Sequence, residues 1–143
     1  MWCLYFNQLI FFVDVRMSCF WIGILGELNA EELKLLEIRK SVPELVKVLK
    51  LLNKPTLQVV WQGKFLSNRA MLENIKHIKA YDEKTVHKGY WTSSADPFLL
   101  LCAELFSWNI VFNYNNSKIR ISHQKALRTV YFRASRSHFE RGR

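Results

Sequence analysis

Glycine and proline are scarce, five and three in 143 residues, which excludes collagen-like and low-complexity character. Only 23% of the residues are charged and half are hydrophobic, so disorder is excluded as the bulk state. The three cysteines, Cys3, Cys19 and Cys102, cannot all pair within one chain and form no C-x-x-C. That spacing lacks the signatures of zinc and of a redox couple, and it fits a reducing, cytoplasmic setting. Four histidines form no H-E-x-x-H and no pair four apart, so neither a metal nor a cofactor is expected. No apolar run reaches the roughly 20 residues of a spanning helix. The longest, Met1 to Val13, stops at Asp14 and Arg16, and it lacks the basic start and small-residue cleavage site of a secretory signal. One domain over residues 1–143, monomeric and without a membrane span, is the expectation.

Acidic residues are nearly missing from one end. Between Lys118 and Arg143, Glu140 alone stands among eight Lys and Arg, so most of the net charge of +9 collects there. A basic stretch can contact phosphates, but a solvated polar face is the commoner arrangement, and nucleic acid is not an expected partner.

Aromatic side chains are plentiful, 10 Phe, 5 Trp and 5 Tyr, and supply a sizeable core. Leu9 to Val15 predicts a buried strand. Cys19 to Leu28, apolar nearly all round, predicts a central helix that opens at Cys19. Asn29 with Glu32 three positions on forms a capping box for a second helix with Leu33, Leu36 and Lys40 on one face. Pro43 divides that helix at Val42, and helical spacing resumes over Glu44 to Leu52. After a turn at Asn53-Lys54-Pro55, Leu57 to Trp61 is a short candidate strand. Ser67 caps a helix to about Ile78 that turns Met71, Leu72, Ile75 and Ile78 inward. Tyr81 to Ser94 reads as a surface loop, and Asp96-Pro97 as the start of a helix with Phe98 to Phe106 as its apolar body. Asn109 to Tyr114 and Lys118 to Ile121 form a hairpin about Asn115-Asn116, and Thr129 to Arg133 is a further strand.

A cysteine nucleophile acts as the thiolate, which the unpaired N–H groups and dipole of a helix N-terminus stabilise. Cys19 has that placement, and backbone N–H groups of Arg16, Met17 and Ser18 can donate to a developing oxyanion. A base is then needed. His138 lies 119 residues downstream, with Glu140 two places further on. On a strand those two side chains share a face about 6.5–7 Å apart, so the carboxylate can hold the ring's far nitrogen and support the imidazolium. Cys19, His138 and Glu140 thus form a possible triad. Against it, a free cysteine at an apolar helix start is commonly a small buried hydrophobe.

A resemblance favours the triad. Cys19-Phe20-Trp21-Ile22-Gly23-Ile24-Leu25-Gly26-Glu27-Leu28 resembles the cysteine block of the OTU (ovarian tumour) family of deubiquitinating proteases. Glu37 to Val42 is similar to the Leu-Arg-x-x-Val helix that follows in that family. Gly89-Tyr90-Trp91, then Leu99 to Leu105 and Asn109 to Tyr114, resemble its Gly-x-Trp loop, Leu/Ala-rich helix and Asn-Ile-x-Val-Tyr strand. Val130-Tyr131-Phe132 leading to His138-Phe139-Glu140 is similar to its strand followed by His-aromatic-acid. In this order the blocks span about residues 10 to 141.

The resemblance implies an α+β, papain-like fold, with a small, mostly antiparallel central sheet flanked by helices. It implies a thiol protease cleaving after the C-terminal glycine of ubiquitin or a ubiquitin-like protein, with Cys19 as nucleophile, His138 as base and then acid, and Glu140 as the orienting carboxylate. Trp91 would line the substrate cleft. Arg16-Met17-Ser18 stands where the family usually has Asp-Gly-Asn, so the oxyanion loop lacks its glycine, and Asp14 becomes a candidate second acid. Glu140 replaces the commoner Asp or Asn. Such divergence suits a viral or mobile-element protease, active in the host cytoplasm if viral. Two other readings stay open: an OTU-like module that binds ubiquitin or another partner without cutting, and a basic RNA-contacting domain using Lys118 to Arg143.

Overall fold

The computed structural model describes residues 19–87, 92–135 and 138–142. Among them are five α-helices: α1 (Cys19–Glu27), α2 (Ala30–Leu36), α3 (Val42–Leu51), α4 (Asn68–Ala80) and α5 (Thr92–Phe106). Six strands accompany them: β1 (Val59–Trp61), β2 (Lys64–Phe65), β3 (Trp108–Tyr114), β4 (Ser117–His123), β5 (Arg128–Ser135) and β6 (His138–Arg141). They form one open sheet in the order β2-β1-β4-β3-β5-β6. Every neighbouring pair is antiparallel except β3 with β5. The α+β class and the mostly antiparallel sheet are therefore as the sequence indicates, whereas the strand expected at Leu9 to Val15 lies outside the described residues.

Strands β3 and β5 form the middle of the core because alternate residues turn inward. Trp108, Ile110 and Phe112 are buried on β3, and Val130, Phe132 and Ala134 on β5. Asn115 and Asn116, at φ 48° and 70°, make the tight turn from β3 to β4. A second such turn, Gln62 and Gly63 at φ 49° and 84°, joins β1 to β2, a hairpin whose return strand the sequence did not announce.

Helix α2 opens on the expected capping box: Asn29 Oδ1 accepts from the Glu32 amide, and Glu32 Oε1 accepts from the Asn29 amide. Glu32 does more. Its carboxylate accepts from Trp108 Nε1 at 2.6 Å and from Arg128 Nη2 at 2.7 Å, while Arg128 Nη1 reaches Glu27 Oε1 at 3.0 Å. The guanidinium also lies 5.1 Å from the Trp108 ring centroid. One arginine at the start of β5 thereby ties the end of α1 and the start of α2 to the sheet. Burial works against the Glu32 charge, but Arg128, the Asn29 amide and Trp108 outweigh it and hold the carboxyl below its ordinary range.

Four expectations are corrected. Helix α2 stops at Leu36, not at Val42: Glu37 turns left-handed (φ 58°), with Ile38 N–H bonding to Leu33 O and Glu37 N–H to Lys34 O. Leu72 of α4 is 60% exposed, so only Ile78 of the expected inward set is fully buried. The segment from Tyr81 is not all surface loop, since Glu83–His87 forms a 3₁₀ turn, Val86 is buried and the Tyr81 hydroxyl accepts from Trp21 Nε1 at 3.0 Å. Helix α5 begins at Thr92 and has Pro97 in its interior, so Asp96 is not its cap.

Candidate active site

Two elements meet at the site. Helix α1 buries Cys19, Phe20, Trp21, Gly23 and Ile24, as its uniformly apolar sequence requires. Strand β6 is an edge strand laid antiparallel on β5, pairing Ser135 with His138, Ala134 with Phe139 and Arg133 with Glu140. Alternation puts Phe139 on one side of β6 and both His138 and Glu140 on the other. Phe139 is fully buried, with its ring centroid 4.9 Å from that of Phe20 and 4.8 Å from that of Phe132. Gly23 permits this approach, because a Cβ there would stand 2.9 Å from the Phe139 ring. Arg141 adds an ion pair to Glu27 at 3.0 Å, so β6 is fastened to α1 at both ends of the helix.

At the N-terminal end of α1 the Cys19 sulfur stands 3.8 Å from His138 Nδ1. The ring's other nitrogen, Nε2, is 3.7 Å from Glu140 Oε2, and Glu140 Oε1 is held by Arg133 Nη2 at 2.9 Å. The order is sulfur, imidazole, carboxylate, guanidinium. Burial pushes the His138 imidazole below its usual pKa, and the Glu140 carboxylate pulls the other way. The ring is therefore disposed to be neutral and able to take a proton, with a carboxylate behind it to receive the resulting charge. Cys19 has no exposed surface, and its sulfur is disulfide-bonded, with the partner outside the described residues. The cysteine count suggested a reducing setting; in this state the sulfur is oxidised and cannot attack.

The three residues of the sequence-derived triad thus come together. Asp14, Arg16, Met17, Ser18 and Trp91 lie outside the described residues. Arg133 was not singled out in the sequence, and only the β5–β6 register could have revealed it. His123 is mostly buried, with Nδ1 accepting from the Lys125 amide at 2.9 Å. Cys102 is free and fully buried in α5, a packing residue whose thiol burial pushes far above its usual pKa. No three metal-ligating side chains converge among the described residues, and no helix there is long and apolar enough to cross a membrane.

These features define a mixed α+β protein with a cysteine, a histidine and a carboxylate in a row. No family model, curated protein or solved structure matches the chain.

Proposed function

We propose that the protein is a cysteine isopeptidase of the OTU type, acting after the C-terminal glycine of ubiquitin or a ubiquitin-like protein. The observation that carries the reading is the row itself: Cys19 Sγ 3.8 Å from His138 Nδ1, with His138 Nε2 turned toward Glu140 at 3.7 Å. The separations are loose, as catalytic contacts commonly are before substrate closes the site. Support for the papain-like arrangement comes from a nucleophile at the first turn of a buried helix and a base on an edge strand of a mostly antiparallel sheet. The substrate class rests on the resemblance in sequence.

In the first step His138 takes the Cys19 proton and the thiolate adds to the glycine carbonyl. Imidazolium then returns that proton to the departing amine, leaving a thioester. Water, deprotonated by the same imidazole, adds to the thioester carbonyl and releases the carboxylate and the thiol. Glu140 steadies the imidazolium during both transfers. Because the sulfur is disulfide-bonded here, reduction must come first.

The test is a ubiquitin probe with a thiol-reactive C-terminus, offered with and without dithiothreitol. Labelling is expected at Cys19, only with the reductant, and is expected to be lost in His138→Gln. Labelling elsewhere, or unchanged in Cys19→Ala, would sink the reading. A second reading, a module that binds ubiquitin without cutting, is favoured by the complete burial of Cys19. Saturable binding of unmodified ubiquitin without labelling under reductant would select it.

A further inference from the structure

The chain holds three cysteines, Cys3, Cys19 and Cys102. Cys102 is free and Cys19 is disulfide-bonded, so within the chain Cys3 alone remains as the partner of Cys19. The two cysteines of the described residues differ in chemistry. Cys102 is fully buried in α5, where burial keeps its thiol protonated and inert. Cys19 stands at the first turn of α1, 3.8 Å from His138 Nδ1. A neutral imidazole there can take the thiol proton, and the unpaired N–H groups of the helix favour the thiolate. Thiolates, not thiols, react with peroxides and exchange with disulfides. The oxidised sulfur is thus the one that its surroundings activate, whereas a disulfide that only fastened the chain would need no histidine beside it.

We propose that Cys19 is a site of oxidation by peroxide and that Cys3 is its resolving thiol, so that the disulfide is a protected, reversible form of the sulfur. The Cys19 thiolate attacks one oxygen of hydrogen peroxide: the S–O bond forms, the O–O bond breaks, and the released hydroxide takes the proton held by His138 and leaves as water. The Cys3 thiolate then attacks the Cys19 sulfur: the S–S bond forms, the S–O bond breaks, and a second water leaves with the Cys3 proton. Two electrons pass from the two sulfurs to the peroxide. A dithiol, itself oxidised to a disulfide, returns both thiols. In the disulfide Cys19 has no exposed surface, so a further peroxide cannot reach it. Without Cys3 the sulfenic acid stays open to a second peroxide, which carries it to the sulfinic acid, a state that no dithiol reverses. The inference rests on the reactive thiol that the proposed function also needs, and not on ubiquitin or on peptide hydrolysis.

The test reduces the full chain, removes the reductant and adds hydrogen peroxide, with intact-protein mass spectrometry and non-reducing peptide maps as readout. The parent is expected to lose two hydrogens, to yield a Cys3–Cys19 cross-link, and to regain iodoacetamide-reactive Cys19 on native treatment with dithiothreitol. Cys3→Ser is expected to gain two oxygens at Cys19 and to regain no reactive thiol. Cys102→Ala is expected to cycle like the parent, and His138→Gln to oxidise more slowly. A cross-link to Cys102 or between two chains, a Cys3–Cys19 bond that dithiothreitol opens only in denaturant, recovery of the thiol in Cys3→Ser, or an unchanged rate in His138→Gln would each overturn the proposal. So would a Cys3→Ser chain that circular dichroism shows unfolded, because the bond would then be structural. A complete cycle without labelling by the ubiquitin probe would keep this proposal and end the protease reading; probe labelling of a Cys19 that oxidises irreversibly would do the reverse.

Discussion

Glu140 divides its oxygens, one toward His138 and one on Arg133, which is 52% exposed. An exposed ion pair contributes only about 0–1 kcal/mol to stability. The arginine therefore matters for where the carboxylate points, not for whether the chain folds. Arg133→Gln is expected to slow probe labelling of Cys19 several-fold while leaving the urea midpoint nearly unchanged; a shifted midpoint with normal labelling would assign it a structural role instead. Asp96 is the opposite case. Its folded carboxyl titrates at about 6 against 3.8 when unperturbed, so ionisation at neutral pH costs on the order of 2–3 kcal/mol. Asp96→Asn is expected to raise stability at pH 7 by up to that amount and to change little near pH 4, checked by urea unfolding at the two values.

At the scale of elements, the contact of α1 with β6 decides whether sulfur and imidazole meet. Gly23→Ala would place a methyl group 2.9 Å from the Phe139 ring, which is fixed between Phe20 and Phe132 and cannot easily yield. A cost of about 1–3 kcal/mol and a fall in labelling are expected together, because the helix must move away from the strand that carries His138. Arg128→Ala would leave Glu32 buried without its counter-charge, and a loss of about 3 kcal/mol in urea unfolding is expected. Features that depend on a few neighbouring residues were legible in the sequence: the Asn29–Glu32 box, the Asn115-Asn116 turn, and the spacing of His138 and Glu140. Features set by distant partners were not. Asp96-Pro97 imitates a helix start, yet the helix extends upstream of it. Tyr81 follows a helix like a loop residue, yet Trp21, 60 positions away, supplies its hydroxyl with a donor. Arg133 acquires its role only when β5 and β6 are laid in register.

For the whole molecule, His138 and Asp96 impose opposed dependences on pH. His138 titrates below 6.5 when folded, so as pH falls past that value the unfolded chain takes up its proton first and stability is lost. Asp96 titrates above 3.8 when folded, so from about 6 downward the folded chain takes up its proton first and stability is gained. Each variant should expose the other's slope: His138→Gln is expected to gain more stability than the parent between pH 7 and 5, and Asp96→Asn to lose more, read from urea midpoints at unit intervals. Sulfur and imidazole belong to residues 119 positions apart, and almost the entire sheet lies between them in the chain. During translation, at about 5–20 residues per second, Cys19 therefore emerges on the order of ten seconds ahead of His138. A nascent polypeptide therefore presents Cys19 without its histidine until β6 has left the ribosome, so the row of sulfur, imidazole and carboxylate cannot form on a partly made chain.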